Sequence, residues 1–190
     1  MSYVFISGIP ASGKTYLAAK VSRTLGISHF DVFDKLYLEL SNDPNLMKWV
    51  NFFWNLNEEK YYETADCAEQ WENIKNQSEA LWPVTLKKIK DIQASKRPAI
   101  FEGVNILPHL ARRDLDFEGI FLLGESLEII FERNKKNPRW GKTEELQRKE
   151  AKAFYECEGA MYKKEADKYG FKTFSDTDEA EKELLRILKS

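Results

Sequence analysis

The chain has 190 residues, a length that suits one domain with a sizeable core. Its hydrophobic fraction of 43% and charged fraction of 32% are ordinary for a globular protein, and no apolar run approaches the roughly 20 residues of a membrane helix. The formal net charge of -2 creates no global basic field to recruit nucleic acid.

Tyr3 to Ile6 is a short apolar run of β-formers, too short for a signal-peptide core and with no basic segment before it. It leads into Gly8-Ile9-Pro10-Ala11-Ser12-Gly13-Lys14-Thr15, which fits the P-loop template G-x-x-x-x-G-K-[ST] at every fixed position. Leu17, Ala18, Val21 and Leu25 then share one helix face, and Gly26 suits the position just past that helix. Strand, glycine-bounded loop and helix form the context that binds phosphate. Gly8 and Gly13 permit backbone conformations that a Cβ would crowd, and the amides from Gly8 through Ala11, Ser12 and Gly13 can turn toward one anion. Lys14 can place its ammonium between the β- and γ-phosphates, and Thr15 offers a hydroxyl to Mg²⁺.

Ile27 to Phe30 reads as the second strand, followed by Asp31 and Asp34, with a helix expected from about Asp34 through Leu40. Ser41 to Pro44 is a break. From Leu46 to about Ile92 the pattern is helical and rich in aromatics: Trp49, Phe52, Phe53, Trp54, Tyr61, Tyr62, Trp71 and Trp82. Breaks are expected around residues 55–57 and 64–66 and before Pro83, which suits a helix start. Most of these rings suit core packing, and some suit a lid over a substrate.

Ala99 to Phe101 is the third strand and leads into Glu102, Gly103, Val104 and Asn105. Gly119 to Leu123 is the fourth, after which Ser126 can cap a helix to about Lys136. Asn137 to Gly141 breaks the chain, and Thr143 can cap one long helix bearing Leu146, Ala153, Cys157 and Met161. Phe171 to Phe174 is the last strand, and a helix from about Asp178 closes the chain. Short apolar strands alternating with helices predict an α/β fold, a parallel sheet between helical layers, with ligands beyond the carboxyl ends of the strands. Cys67 and Cys157 match no metal or redox spacing and read as reduced thiols, which suits a cytoplasmic protein.

With these parts in this order, the chain resembles the small-molecule and nucleoside-monophosphate kinases of the P-loop superfamily, similar in plan to adenylate, shikimate and gluconate kinases. Residues 99–108 are also similar to the Glu-Gly-Val segment of 2-phosphoglycerate kinase-like proteins. The resemblance implies a three-layer α/β/α P-loop NTPase fold in a single domain, with about five parallel strands. It implies a helical acceptor-binding insert at about 35–95 and a short lid at about 134–142. It implies ATP and Mg²⁺ as cofactors and a small metabolite or nucleotide as phosphoryl acceptor. Asp31 occupies the place of the acid near the acceptor hydroxyl, where it can orient that hydroxyl and accept its proton, with Asp34 in reserve. Arg133 matches the arginine of the helix after the fourth strand, Arg139 that of the lid, and Arg148 is a third candidate. Glu102 sits where a Walker-B-like acid would hold a magnesium-bound water or a substrate hydroxyl, and Asn105 follows on the substrate side.

A switch GTPase fits less well. Asp116 to Gly119 matches Asp-x-x-Gly but precedes its strand, and Asn134 to Asn137 ends in the wrong residue for a guanine signature. A nucleotide-binding regulatory protein without turnover, and a polynucleotide-end kinase, stand as alternatives. His29 and His109 are isolated and read as structural.

Overall fold

The structure is a computed structural model and describes residues 3–33, 40, 43–53 and 55–189. Asp34, the helix expected to start there and Trp54 lie outside the described residues.

Five strands form one sheet: β1 (Tyr3–Gly8), β2 (Ser28–Asp31), β3 (Ala99–Glu102), β4 (Gly119–Leu122) and β5 (Lys172–Phe174). Their order is β2-β3-β1-β4-β5, and every neighbouring pair is parallel. Side-chain alternation divides the core between the two faces. Val4, Ile6, Ile100, Ile120 and Leu122 pack on one side against Leu17, Ala18 and Val21 of α1 (Lys14–Leu25) and Ala180 and Leu184 of α9 (Thr177–Lys189). Phe5, Phe101 and Phe121 face the other side. There they meet α5 (Pro108–Asp114), α6 (Leu127–Lys136) and α8 (Gly159–Tyr169), through Leu110, Phe131 and Tyr162 among others. The three-layer α/β/α arrangement expected from the alternation is therefore present, with the P-loop strand β1 at the sheet centre.

Between β2 and β3 lie α2 (Pro44–Val50), α3 (Glu58–Thr64) and α4 (Cys67–Ala94). Each starts on a side-chain cap: Asp43 accepts from the Asn45 and Leu46 amides, Asn57 from Lys60 and Asp66 from Glu69. The aromatics divide as expected. Trp71 and Trp82 are buried, Trp71 edge-on to Tyr162 at 5.0 Å, whereas Phe53 stacks on Trp140 at 5.2 Å beside a cavity.

Two expectations about helices are corrected. First, α4 runs unbroken through Pro83. Proline offers no amide to the carbonyl one turn back, so tertiary anchors hold the helix together there. Leu81 and Ile89 are fully buried, and the Trp82 Nε1–H donates to Asp114 Oδ2 at 2.6 Å. Second, the long helix after Thr143 is α7 (Glu144–Lys152), a π-helix (Ala153–Glu158) and then α8. Among the described residues no helix is long and apolar enough to cross a membrane.

The Pro83 side is exposed, so its ring contributes little packing. Pro83→Ala restores the missing amide, and we expect stability to rise by on the order of 1–3 kcal/mol in urea denaturation. A fall in stability would show that proline is favourable at this turn.

Candidate functional site

The chain turns sharply where β1 ends. Gly8 has φ +120, and a Cβ there would lie 2.1 Å from the Leu122 carbonyl oxygen of β4, so only glycine fits. Gly13 has φ +104 and caps α1, while Ala11, with φ 56, takes the left-handed region despite its Cβ. Such strain concentrates in loops that aim backbone groups at a ligand. The Ser12 hydroxyl donates to the Ile9 carbonyl at 2.8 Å, and the Lys14 ammonium donates to the same carbonyl at 2.5 Å. Lys14 is therefore buried within the loop, while Thr15 and Tyr16 are exposed at the first turn of α1.

A cavity of about 600 Å³ opens over this loop, lined by Ala11, Gly13, Lys14, Thr15, Tyr16, Arg133, Asn137 and Arg139. Arg133, in the last turn of α6, donates to the Ser12 carbonyl at 2.8 Å and to Glu125 at 3.0 Å. Loop amides, one lysine, two arginines and a helix N-terminus converge here on a space for anions. Of the predicted nucleotide-binding residues, Ala11, Gly13, Lys14 and Thr15 line this cavity together with both predicted arginines, whereas Gly8 and Ser12 do not line it. Arg148 does not join them, because it pairs with Glu128 at 2.9 Å and lies over the Phe131 ring.

The two predicted acids lie side by side. Asp31 and Glu102 are register partners at the carboxyl ends of β2 and β3. Ile6, the other register partner of Glu102, packs against α1, so both acids belong to the α1 face. Asp31 accepts from the Phe33 amide at 2.8 Å, and Glu102 Oε1 lies 3.4 Å from His29 Nε2. Carboxylates are hard oxygen donors of the kind Mg²⁺ prefers.

A second cavity, of about 740 Å³, lies on the far side of Arg139. Phe33, Met47, Val50, Phe53, Ile74 and Trp140 give it apolar walls, and Gln77, Asn105, Arg139 and Glu158 give it polar ones. Asn105, predicted on the substrate side, is here, whereas Asp31 and Glu102 do not line this space. Asn105 Nδ2 donates to Ser78 Oγ at 2.8 Å and to Gln77 Oε1 at 3.2 Å. Gln77 Nε2 donates to the Trp49 carbonyl at 2.7 Å. The Asn105 Oδ1 acceptor is buried and makes no hydrogen bond among the described residues. The Tyr162 hydroxyl donates to the Val104 carbonyl and fixes the segment that carries Asn105.

Glu158 was not singled out by sequence. It closes the π-helix, and such segments occur often at functional sites. Burial pushes its carboxyl from the ordinary 4.5 up to about 8, against the opposing pull of the Lys14 and Arg139 charges. The signal was its spacing: Phe154, Glu158, Tyr162 and Ala166 follow at i+4 intervals, and all four are buried. A buried acid within an apolar stripe is costly when ionised, so its presence there points to a chemical use for the carboxyl.

The predicted lid is held from beneath by Glu150, which is fully buried. Its Oε1 accepts from the Trp140 and Gly141 amides at 3.1 and 3.0 Å, and its Oε2 from Asn134 at 2.7 Å. Glu58 of α3 joins them, raised from 4.5 to about 8 by burial and by its hydrogen bond to Glu150. The two cysteines also meet: Cys67 and Cys157 form a disulfide, with Cα atoms 4.9 Å apart. The expectation of separate reduced thiols is corrected, because packing of α4 on the π-helix closes a sequence separation of 90. His109 is placed structurally, between Glu79 at 3.1 Å and Glu165 at 3.2 Å.

Comparison with known proteins agrees with this geometry. The AAA domain profile matches residues 4–153. Among solved structures, a shikimate kinase from Acinetobacter baumannii in complex with shikimate is similar at 14% identity and TM-score 0.55, over 100% of this chain and 94% of that one. A deoxyadenosine kinase from M. mycoides with bound dATP is similar at 16% identity and TM-score 0.51, over 100% of both chains. A gluconokinase from Sinorhizobium meliloti 1021 is similar at 15% identity and TM-score 0.50, over 99% of this chain and 91% of that one. At these identities the likeness is one of fold. No curated protein sequence matches the chain.

Glu158 and Glu58 both keep their protons in the fold to about pH 8, while the unfolded chain releases them near 4.5. Between those values the native state binds more protons at these two sites, so the stability they contribute is full below about pH 4.5 and is lost as pH rises through about 8. Glu158→Gln removes one of these terms. At pH 9 we expect the variant to exceed the wild type by a few kcal/mol, at about 1.4 kcal/mol per pKa unit, in denaturant titrations. Parallel curves for the two proteins from pH 5 to 9 would show that Glu158 is charged throughout.

Proposed function

On the premise that this chain belongs to the AAA domain family, we propose that it is an ATP- and Mg²⁺-dependent phosphotransferase acting on a hydroxyl of a small acceptor. The observation that carries this reading is the pair of cavities meeting at Arg139, one over the phosphate loop and one organic. The fold shared with kinases of small hydroxyl compounds agrees with it.

The γ-phosphoryl group lies at the junction. Lys14 exchanges the Ile9 carbonyl for the β- and γ-phosphates, and Arg133 and Arg139 neutralise charge spreading over the transferring group. Thr15, Asp31 and Glu102 would hold Mg²⁺ on the α1 face, with His29 steadying Glu102. Magnesium, when bound, supplies further neutralisation of the phosphates. The proton-acceptor role expected of Asp31 passes to Glu158, because Glu158 faces the acceptor cavity and Asp31 is tied to the Phe33 amide. A carboxyl near its midpoint at working pH is suited to take the hydroxyl proton as the bond to phosphorus forms.

The acceptor cavity favours a flat ring beside the stacked Phe53 and Trp140, with an N–H donor for Asn105 Oδ1. A nucleoside carries both features together with a hydroxyl, which makes it the acceptor we favour over an aliphatic hydroxy acid.

Acceptor-dependent ADP release across nucleosides, shikimate and gluconate tests the reading. We expect nucleosides to be turned over, and Lys14→Ala to lose at least about a thousandfold in kcat while keeping its fold. ATP binding without any acceptor-dependent release would instead support a regulatory protein. In wild-type enzyme kcat should rise with pH through about 8, and Glu158→Gln should be both slow and flat. Asp31→Asn should raise the Mg²⁺ concentration at half-maximal rate about tenfold. An unchanged Mg²⁺ requirement would remove Asp31 from the metal side.

A further inference from the structure

The Cys67–Cys157 pair sits where it can act on the acceptor site. Cys67 is the first residue of α4, the helix that brings Ile74 and Gln77 to the acceptor cavity. Cys157 lies in the π-helix, directly before Glu158. The bond therefore ties two walls of one cavity at their outer ends. A π-helix has the weaker hydrogen-bond pattern, so its register depends on what is packed or bonded against it. Cys67 is exposed and Cys157 half-buried, which lets a small thiol or disulfide reach the pair without unfolding. Exposed disulfides of this kind are the ones that exchange.

We propose that Cys67 and Cys157 form an exchangeable redox site that takes a low-molecular-weight disulfide as its oxidant, and that the bond holds the Glu158 turn in the acceptor cavity. The exposed Cys67 thiolate attacks one sulfur of the small disulfide and releases one thiolate, leaving a mixed disulfide. The Cys157 thiolate then attacks the Cys67 sulfur, forming the internal bond and releasing the second thiolate. The two protons of the protein thiols pass to the two released thiolates. Two cysteine sulfurs are oxidised and the small disulfide is reduced to two thiols. A small thiol in excess runs the same steps backward. Only the naming of that cavity as an acceptor site rests on the phosphotransferase reading.

The test uses the full chain equilibrated in glutathione buffers of graded oxidised-to-reduced ratio, quenched by alkylation and mapped without reductant. The Cys67–Cys157 cross-linked peptide should form and disappear reversibly along the series. On reduction, amide hydrogen exchange in residues 153–158 should speed up about tenfold, and Tm should fall by roughly 5 °C. Cys67→Ser should show the reduced pattern throughout the series. Failure to form the cross-linked peptide in glutathione disulfide, a stable glutathione adduct on Cys67 in its place, or unchanged exchange in 153–158 would each overturn the proposal. None of these measurements needs turnover, so a chain that exchanges its disulfide but transfers no phosphoryl group would sink the kinase reading and leave this one standing.

Discussion

The architecture turns on the contact between Gly8 and Leu122. The carboxyl end of the central strand lies so close to β4 that any side chain would meet the Leu122 carbonyl at 2.1 Å. That approach lets the chain leave the sheet in a tight curl through Ala11 and Gly13, both at positive φ, and enter α1 at Lys14. The sheet supplies the rigidity and the loop supplies the aimed amides. The residues around the smaller cavity are referred to this point: Arg133 through the Ser12 carbonyl, Lys14 through the Ile9 carbonyl, and Thr15 through the first turn of the helix.

The donor side of this protein is legible in its sequence because its parts are contiguous or follow strands. The P-loop is eight successive residues, and Asp31 and Glu102 are found by asking what comes after a buried strand. Arg133 and Arg139 needed the family's order of parts, since a charged residue near a helix end looks the same in a lid as on any surface. Arg148 shows the cost of that ambiguity: it has the right charge and region but pairs with Glu128.

The acceptor side was less legible because it is made by tertiary packing. Glu158 lies at a helical interval from Phe154 and Tyr162, and a chain read for periodicity alone records it as an interruption of an apolar face. The cysteine pair is invisible to spacing rules, since the contact closes through α4 and the π-helix and not through nearby sequence. Pro83 failed as a boundary for the same reason. Local preference argues for a break, and the buried neighbours Leu81, Trp82 and Ile89 outweigh it.

Among the described residues, Asn137 and Arg139 line both cavities. Apart from these two, the smaller cavity is lined by the P-loop, the start of α1 and Arg133, and the larger one largely by the helices between β2 and β3, by Trp140, Glu158 and Tyr162, with Pro10 of the P-loop at its edge. On the phosphotransferase reading proposed above, the two specificities therefore rest largely on separate parts of the chain, and substitutions in α2 or α4 would exchange one acceptor for another while the nucleotide side stays intact. Asn137 and Arg139 have no such freedom, because a change at either alters both cavities at once.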